Sequence, residues 1–432
     1  NLAPADLPKD GTGYDLGMAV AILVSSGQVD CDLSKDLFIG ELSLEGSIRP
    51  VRGALVAAQL GAARGFKRVF VPSANADEAA LDESIEIIPV DTLHQLYRHL
   101  IGEVPLASHM ITTQEVLPHE ALPTLDQIYG QDLAKRALLI AVSGGHNILF
   151  SGPPGAGKTL LAKAALGLMP PLSRPELLDV IKLHSLAGLS YGMNPIPPFR
   201  GPHHTASSVA LIGGGTKPKP GEISLSHHGI LFLDELPEFS RSVLESLRQP
   251  LEDGIVSVAR AAGSHTYPAD FMLVATQNPC PCGYLGDKVR DCTCTPSTVA
   301  RYERKLSGPL LDRIDLVISV ERVETDKLVE GRSSLPESKH QDQVIQARAT
   351  QAQRYSDQSI TLNAQMTNKH LEAYCLLDDD TTTLARLAIT NLKLSARSYT
   401  RILKVARTIA DLDGAKSIAS CHLAEAIQYR SK

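Results

Sequence analysis

No stretch of the 432 residues holds eighteen consecutive apolar side chains, so a membrane-spanning helix is not expected. Basic residues are not in excess either: 42 Lys and Arg stand against 48 Asp and Glu, a formal charge of −6. The chain as a whole is therefore not a polybasic nucleic-acid binder, although a local basic channel is compatible with that sum. There is no repeat of solenoid period and no low-complexity tract. Seven cysteines, four of them clustered between 280 and 294, do not make the framework of a secreted disulfide protein. No signal peptide is visible, and a reducing cytoplasm is the expected location. The sequence opens on Asn1 in what reads as mid-element, so further residues before it are expected. At 43% hydrophobic, the length suffices for two or three domains with real cores.

The most informative segment is 147–169. Ile148-Leu149-Phe150 reads as a short buried strand, Gly152-x-x-x-x-Gly157-Lys158-Thr159 follows at once, and LLAKAALGLM continues with helical spacing. Strand, glycine loop and helix in that order make a P-loop. Its glycines let backbone N–H groups turn towards phosphate oxygens at a helix N-terminus, where the dipole favours negative charge. Gly152, Pro153, Pro154, Gly155, Ala156, Gly157, Lys158, Thr159 and Leu160 are thus the expected ATP-binding set. Lys158 supplies a point charge to the β- and γ-phosphates, and the Thr159 hydroxyl a ligand for Mg2+.

Five further residues complete a candidate motor site. Gly229-Ile-Leu-Phe-Leu-Asp234-Glu235 is an apolar strand ending in two acids, the Walker B pattern. Asp234 is expected to hold Mg2+, directly or through water, and Glu235 to activate the attacking water. Asn278, after the strand FMLVATQ, either senses the γ-phosphate or only caps a turn before Pro279. Arg313, in PLLDRID, either pairs with Asp312 or Asp315 or reaches a neighbouring subunit's γ-phosphate as an arginine finger. Arg397 opens a late helix and is either solvated or meets phosphate when a helical lid closes.

Four regions are expected along the chain. Residues 1–103 mix short strands (37–39, 68–72, 85–90) with a small-residue helix at 53–64, a compact α/β unit incomplete at its start. Residues 104–124, with three prolines, read as a linker. Residues 125–322 alternate strand and helix around the P-loop, which predicts a parallel sheet covered on both faces. From 323 the pattern is helical only, at 341–355, 368–376, 380–391, 395–412 and 419–429.

The order of P-loop, Walker B, sensor asparagine, arginine finger and lid arginine resembles an AAA+ ATPase. GPHHTASSVALIGGG (201–215), GEISLSHHGILFLDELPEF (221–239), ATQNPCPCGY (275–284) and SGPLLDRIDL (307–316) resemble, more narrowly, the magnesium-chelatase-like ATPases of the ComM/YifB family. That resemblance covers essentially the whole chain. It implies an AAA+ core with a parallel sheet, a C-terminal helical lid and a hexameric ring. It also implies an ATP-dependent DNA helicase acting on single-stranded or branched DNA, promoting branch migration during natural transformation. Insertions into the core are implied as well. Residues 183–221, with Arg200, His203, His204, Lys217 and Lys219, and a β-hairpin over 254–270 with Arg260 near its tip, either line a pore that grips DNA phosphates or are surface loops.

Cys280-x-Cys282 and, after nine intervening residues, Cys292-x-Cys294 make a plausible four-thiolate site for structural Zn2+. A redox pair and no metal at all are the alternatives. Lys288, Arg290, Arg301, Arg304 and Lys305 make its neighbourhood basic, suited to DNA or a neighbouring subunit. Residues 8–103 resemble the proteolytic domain of Lon-type proteases, in Pro8-Lys-Asp-Gly11, Gly40–Gly46, Arg49-Pro-Val and Gly65–Pro72. Asp15 stands where that family's nucleophilic serine would fall and Leu55 where its lysine would. No peptidase activity by that dyad is therefore expected. The competing activity for the whole chain is a chelatase-type motor that remodels a protein partner without DNA.

Overall fold

The computed structural model describes residues 11–110, 123–215, 219–260, 263–287, 289–322 and 337–430. They fall into two compact units, Asn1–Leu117 with Ser173–Asn194, and Pro118–Leu172 with Pro195–Lys432. The middle of the expected linker (111–122), residues 323–336, Lys217 and Lys288 lie outside the described residues. Among the described residues no helix is long and apolar enough to cross a membrane.

The first unit is built on a three-stranded parallel sheet in the order Asp36–Phe38, Arg68–Pro72, Glu86–Val90. Alternation along the middle strand splits its core in two. Val69 and Val71 pack with Ala54 and Ala58 of the helix Ala54–Ala63, while Phe70 packs on the other side with Leu16 and Leu96. Asp15 opens the helix Asp15–Ser25 and its carboxylate accepts the N–H of Leu42 at 3.4 Å. Leu55 is fully buried. The helix Arg174–Ala187 also belongs here, although the sequence places it inside 125–322. Ser185 Oγ accepts the N–H of Gly53 at 2.8 Å and Arg174 donates to Glu83 at 2.6 Å. The chain thus leaves the ATPase sheet after Leu172 and returns at Pro195, and the excursion is closed by Leu172 N–H donating to Pro195 O at 2.7 Å. Interleaving of this kind leaves no composition shift to read.

The second unit holds a five-stranded sheet: β1 (Ile148–Ser151), β2 (Phe199–Arg200), β3 (Ile230–Leu233), β4 (Met272–Gln277) and β5 (Leu316–Ser319). All pairings are parallel and the order is 5-1-4-3-2. The strands are apolar on both faces because helices cover both. Ile148, Phe150, Ile230, Phe232, Val274 and Ile318 pack on one side, under α1 (Asp132–Gly144) and α2 (Lys158–Leu168). Leu149, Leu231, Leu233, Leu273 and Ala275 face the other, against Val243, Leu247, Leu306 and Leu310.

The C-terminal region is helical, as its period suggests: α3 (Glu337–Arg354), α4 (Asp379–Asn391), α5 (Ala396–Leu412) and α6 (Ser420–Gln428), with a short helix at Asn368–Tyr374. By its contacts it forms one unit with the sheet. Arg348 and Gln351 of α3 donate to the carbonyls of Val142 (2.8 Å) and Ser143 (2.9 Å) at the end of α1. A buried ion pair joins Arg354 to Asp411 of α5.

Candidate nucleotide site

In a parallel sheet the crevice for a ligand opens at the carboxyl ends of the strands, where the strand order reverses. Here that point is the end of β1, flanked by β5 on one side and β4 on the other. The loop 152–157 emerges there. A Cβ on Gly152 would lie 2.1 Å from the Val320 carbonyl oxygen, so only glycine passes. Gly155 and Gly157 have φ of 77° and 82°, the left-handed conformation that favours glycine. Lys158 begins α2 directly after Gly157, and Thr159 and Leu160 stand exposed on its first turn.

The Lys158 ammonium is folded over its own loop. It donates to the carbonyl of Gly152, to Pro153 O at 3.1 Å and to Asn278 Oδ1 at 3.0 Å. Burial pushes its pKa down, and the charges of Asp234 and Glu235 pull it back up. The Asn278 amide faces both ways, for its Nδ2 donates to Glu235 Oε1 at 3.4 Å. Asn278 therefore bridges the P-loop lysine and the second Walker B acid. Asp234 and Glu235 follow β3 directly.

Glu235 has φ of 52°, a left-handed conformation costing a non-glycine residue about 1–2 kcal/mol. Thr276 holds it there. Its hydroxyl accepts the Glu235 N–H at 3.0 Å and donates to Asp234 Oδ1 at 2.5 Å. Sequence reasoning passed over Thr276. The signal was a polar residue in an otherwise apolar strand, and it is fully buried. Gln131, with φ of 58°, was also passed over. Its amide donates to Ala156 O, and so braces the loop.

Arg313 and Arg397 are not in this cluster. Arg313 precedes β5, and β5 runs parallel to β1 with Leu316 opposite Ile148 and Ser319 opposite Ser151. The arginine is therefore at the amino edge of the sheet, whereas the P-loop is at the carboxyl edge. The paired rungs alone span about 10 Å at ~3.3 Å per residue, with further residues beyond them at each end. Arg313 pairs with neither Asp312 nor Asp315. It is buried, donates to Pro309 O at 2.7 Å and forms an ion pair with Glu252. Arg397 donates to the other oxygen of the same carboxylate at 2.8 Å. Asp315 is taken by Arg401 instead. Burial alone would raise the Asp315 carboxyl, but Arg401, His146 and the N–H of Asn147 hold it well below the usual carboxylate range.

The inserted segments differ from expectation in part. Arg200 is not in a projecting loop: it lies in the edge strand β2 and is neutralised by Glu222 through two bonds of 2.6 and 2.7 Å. Residues 183–194 belong to the first unit. The His203 and His204 rings lie against each other at a tilt of 35°, centres 4.1 Å apart, and Lys219 sits in a small ladder with Gly214. The hairpin is present, Ile255–Arg260 pairing with Gly263–Pro268, and Arg260 ends its last rung.

Cys280, Cys282, Cys292 and Cys294 come together, with all four sulfurs within 4.8 Å of one another. Three of the separations are 3.3, 3.5 and 3.7 Å. A tetrahedron of thiolates at Zn–S of about 2.3 Å needs S···S of about 3.8 Å. The cysteines are unbridged; the N–H groups of Tyr284 and Thr293 hold the Cys282 thiol low, while burial and the sulfurs of Cys282 and Cys280 push Cys292 and Cys294 up. The donor set fits a closed structural site. The cluster abuts the P-loop: a Cβ on Gly283 would lie 2.7 Å from Pro154 Cδ. Arg322 donates to Pro154 O at 3.4 Å, pairs with Asp287 at 3.2 Å, and shares the Tyr284 ring with Arg290.

A five-stranded parallel sheet with a P-loop after its first strand, two acids after the third and a helical C-terminal region is an AAA+ ATPase fold. Residues 124–328 match the family of magnesium chelatase subunit ChlI, 336–430 match the C-terminal region of that subunit, and 1–75 match a third family described as subunit ChlI of Mg-chelatase. Competence protein ComM of Haemophilus influenzae is 42% identical over 440 residues, which takes in 100% of this chain and 85% of that protein. The uncharacterized protein YifB of Salmonella typhimurium is 41% identical over 439 residues, covering 100% of this chain and 84% of its own length. The chain belongs to the ComM/YifB family of magnesium-chelatase-like AAA+ proteins. A more distant likeness, 31% over 159 residues, is to the magnesium-chelatase 67 kDa subunit of Chlorobaculum parvum, taking in 35% of this chain and 23% of that one.

Proposed function

We propose that this protein is a ring-forming ATPase that hydrolyses ATP at the seam between subunits and drives DNA through branch migration in competence. The observation that carries the reading is the separation of Arg313 and Arg397 from the P-loop across the length of the sheet. A subunit's own nucleotide is out of their reach, whereas a neighbour docked head-to-tail brings its P-loop to them. In this reading the N–H groups of 152–160 cradle the phosphates of ATP. Lys158 leaves its loop carbonyls for the β- and γ-phosphates, and Thr159 and Asp234 hold Mg2+. Glu235 takes the proton of the attacking water, which Asn278 helps to place. Arg313, with Arg397 beside it, meets the charge that develops in the transition state. The degenerate Lon-like domain, with Asp15 and Leu55 in place of a Ser–Lys dyad, contributes contacts rather than peptide cleavage.

DNA is the proposed track because the family includes a competence protein and because basic side chains are free to meet it. Among the described residues Arg241, Arg301 and Arg304 have no acidic partner, and they line one cleft with Lys305, which Glu238 holds at 3.0 Å. The likeness to a chelatase subunit supports the second reading, a motor for a protein partner. Forked DNA is expected to raise the ATPase rate about tenfold at low salt and to lose that effect at high salt, since phosphate contacts release counterions. A rate indifferent to DNA at every salt concentration would favour the protein-remodelling motor.

The four cysteines are proposed to hold one structural zinc that stiffens the wall against Pro154. Cys292→Ser is expected to abolish zinc in the purified protein, to lower its melting temperature and to weaken binding of a fluorescent ATP analogue. A variant without metal but with unchanged melting and nucleotide affinity would remove the metal from this role.

A further inference from the structure

Two guanidinium groups repel one another, yet Arg313 and Arg397 are brought to opposite oxygens of one carboxylate. Arg313 comes from the turn before β5 and Arg397 from the first turn of α5, and Glu252 accepts from both. The other cations nearby are occupied elsewhere. Arg401 pairs with Asp315, and Lys404 donates to Ala364 O at 2.8 Å. Stability alone accounts for the bond to Arg313 but poorly for the one to Arg397. Glu252 is 46% exposed and Arg397 48% exposed, so that bond adds little, whereas the bond to Arg313, 10% exposed, neutralises a buried cation. The geometric effect of the arrangement is larger. Arg313 is held by Pro309 O on one side and Glu252 on the other, while its Nε has no partner. The carboxylate therefore sets both where that guanidinium points and how far Arg397 stands from it. Arg397 and Glu252 also line a cleft of about 850 Å3, within the size range of ligand sites. Glu252 sits on the short helix Pro250–Asp253, which turns at Gly254 straight into the hairpin strand Ile255–Arg260.

We propose that Glu252 is a positioning residue that fixes Arg313 and Arg397 as a pair for the nucleotide of the neighbouring subunit. The inference rests on the reading of both arginines as acting across the seam. Glu252 touches no reacting atom. It aligns the two groups that do, and so helps to lower the barrier without contributing to ATP capture.

The test is Glu252→Gln in the full-length chain. Gln keeps the size but presents an NH2 group to one of the two arginines, so one of the pair is turned away. At saturating ATP kcat is expected to fall at least tenfold, with KM for ATP changed less than threefold. Assembly in the presence of a non-hydrolysable ATP analogue and the melting temperature should match the parent protein. Glu252→Asp, which restores the charge, should recover part of the lost rate. In an Arg313→Ala, Arg397→Ala background, single-turnover hydrolysis should fall no further on adding Glu252→Gln, because the residue acts through those two arginines. An unchanged kcat in Glu252→Gln, or a further loss when it is added to the variant lacking both arginines, would overturn the proposal. The reading beneath it fails separately: an Arg313→Ala protein with normal kcat would end the trans-arginine assignment, whereas a slow Arg313→Ala beside a normal Glu252→Gln ends only the role of Glu252.

Discussion

Replacing Glu235 by Gln is expected to lower steady-state ATP hydrolysis by about 10²-fold or more, the scale of a lost general base, while ATP stays bound. The substitution is nearly isosteric, and the local structure gives it little to disturb. The bond from Thr276 reaches the Glu235 backbone rather than its side chain. The Asn278 amide donates to Glu235 Oε1, and a Gln oxygen accepts that bond equally well. Asp234 keeps its Thr276 partner. On the proposed mechanism, what disappears is the capacity to take a proton from water beside the γ-phosphate. The removed negative charge also relieves the Lys158 ammonium of one attraction, which favours its transfer to phosphate. The check is paired: the rate of phosphate release, and the amount of labelled ATP that remains with the protein through gel filtration. Hydrolysis at the parent rate would exclude Glu235 as the base, and loss of bound ATP would assign it to nucleotide capture instead.

The parts of this site that follow one another along a strand and its loop were legible in the sequence. β1, the glycine loop and α2 form one continuous piece whose hydrogen bonding and backbone conformation are set locally, so residues 148–168 announced themselves. The same holds for the acids after β3 and for the helical period of 395–412, found as Ala396–Leu412. What the sequence did not disclose depends on pairings between distant segments. Thr276 reaches Asp234 because β4 lies beside β3, and no local pattern encodes that register. The helix Arg174–Ala187 has an ordinary capping box from Ser173 and Glu176, which predicts a helix but not which unit it joins. Arg313 beside Asp312 and Asp315 left open a local ion pair or an arginine finger. In the fold Asp315 is turned into the interior towards Arg401, and Glu252, far away in sequence, takes its place. Arg200 looked like a free cation in a glycine-rich loop until β2 placed it opposite Glu222. In each case charge complementarity was decided by tertiary proximity, which outweighs sequence distance.

The second large effect separates action within a subunit from action between subunits. Arg313→Ala is expected to reduce kcat by about 10³-fold, in the range of arginine-finger loss, and Lys158→Ala to abolish ATP turnover. Mixed together, the two inactive proteins should regain activity. In a head-to-tail ring each seam takes its P-loop from one subunit and its arginine from the next. A seam is intact when the first carries Arg313→Ala, and so has a good P-loop, and the second carries Lys158→Ala, and so has a good arginine. Random equal mixing makes about one quarter of seams intact, so about one quarter of the parent rate is expected if seams fire independently. The topology supports this expectation, because Arg313 precedes β5 at one edge of the sheet and Lys158 follows β1 at the other. Were the arginine to serve its own nucleotide, every subunit in the mixture would carry a broken site and no activity would return at any ratio. Subunit exchange must be verified in the same samples by fluorescence transfer between labelled proteins. Exchange without recovery would then refute the shared seam, and recovery that peaks at equal proportions would establish it.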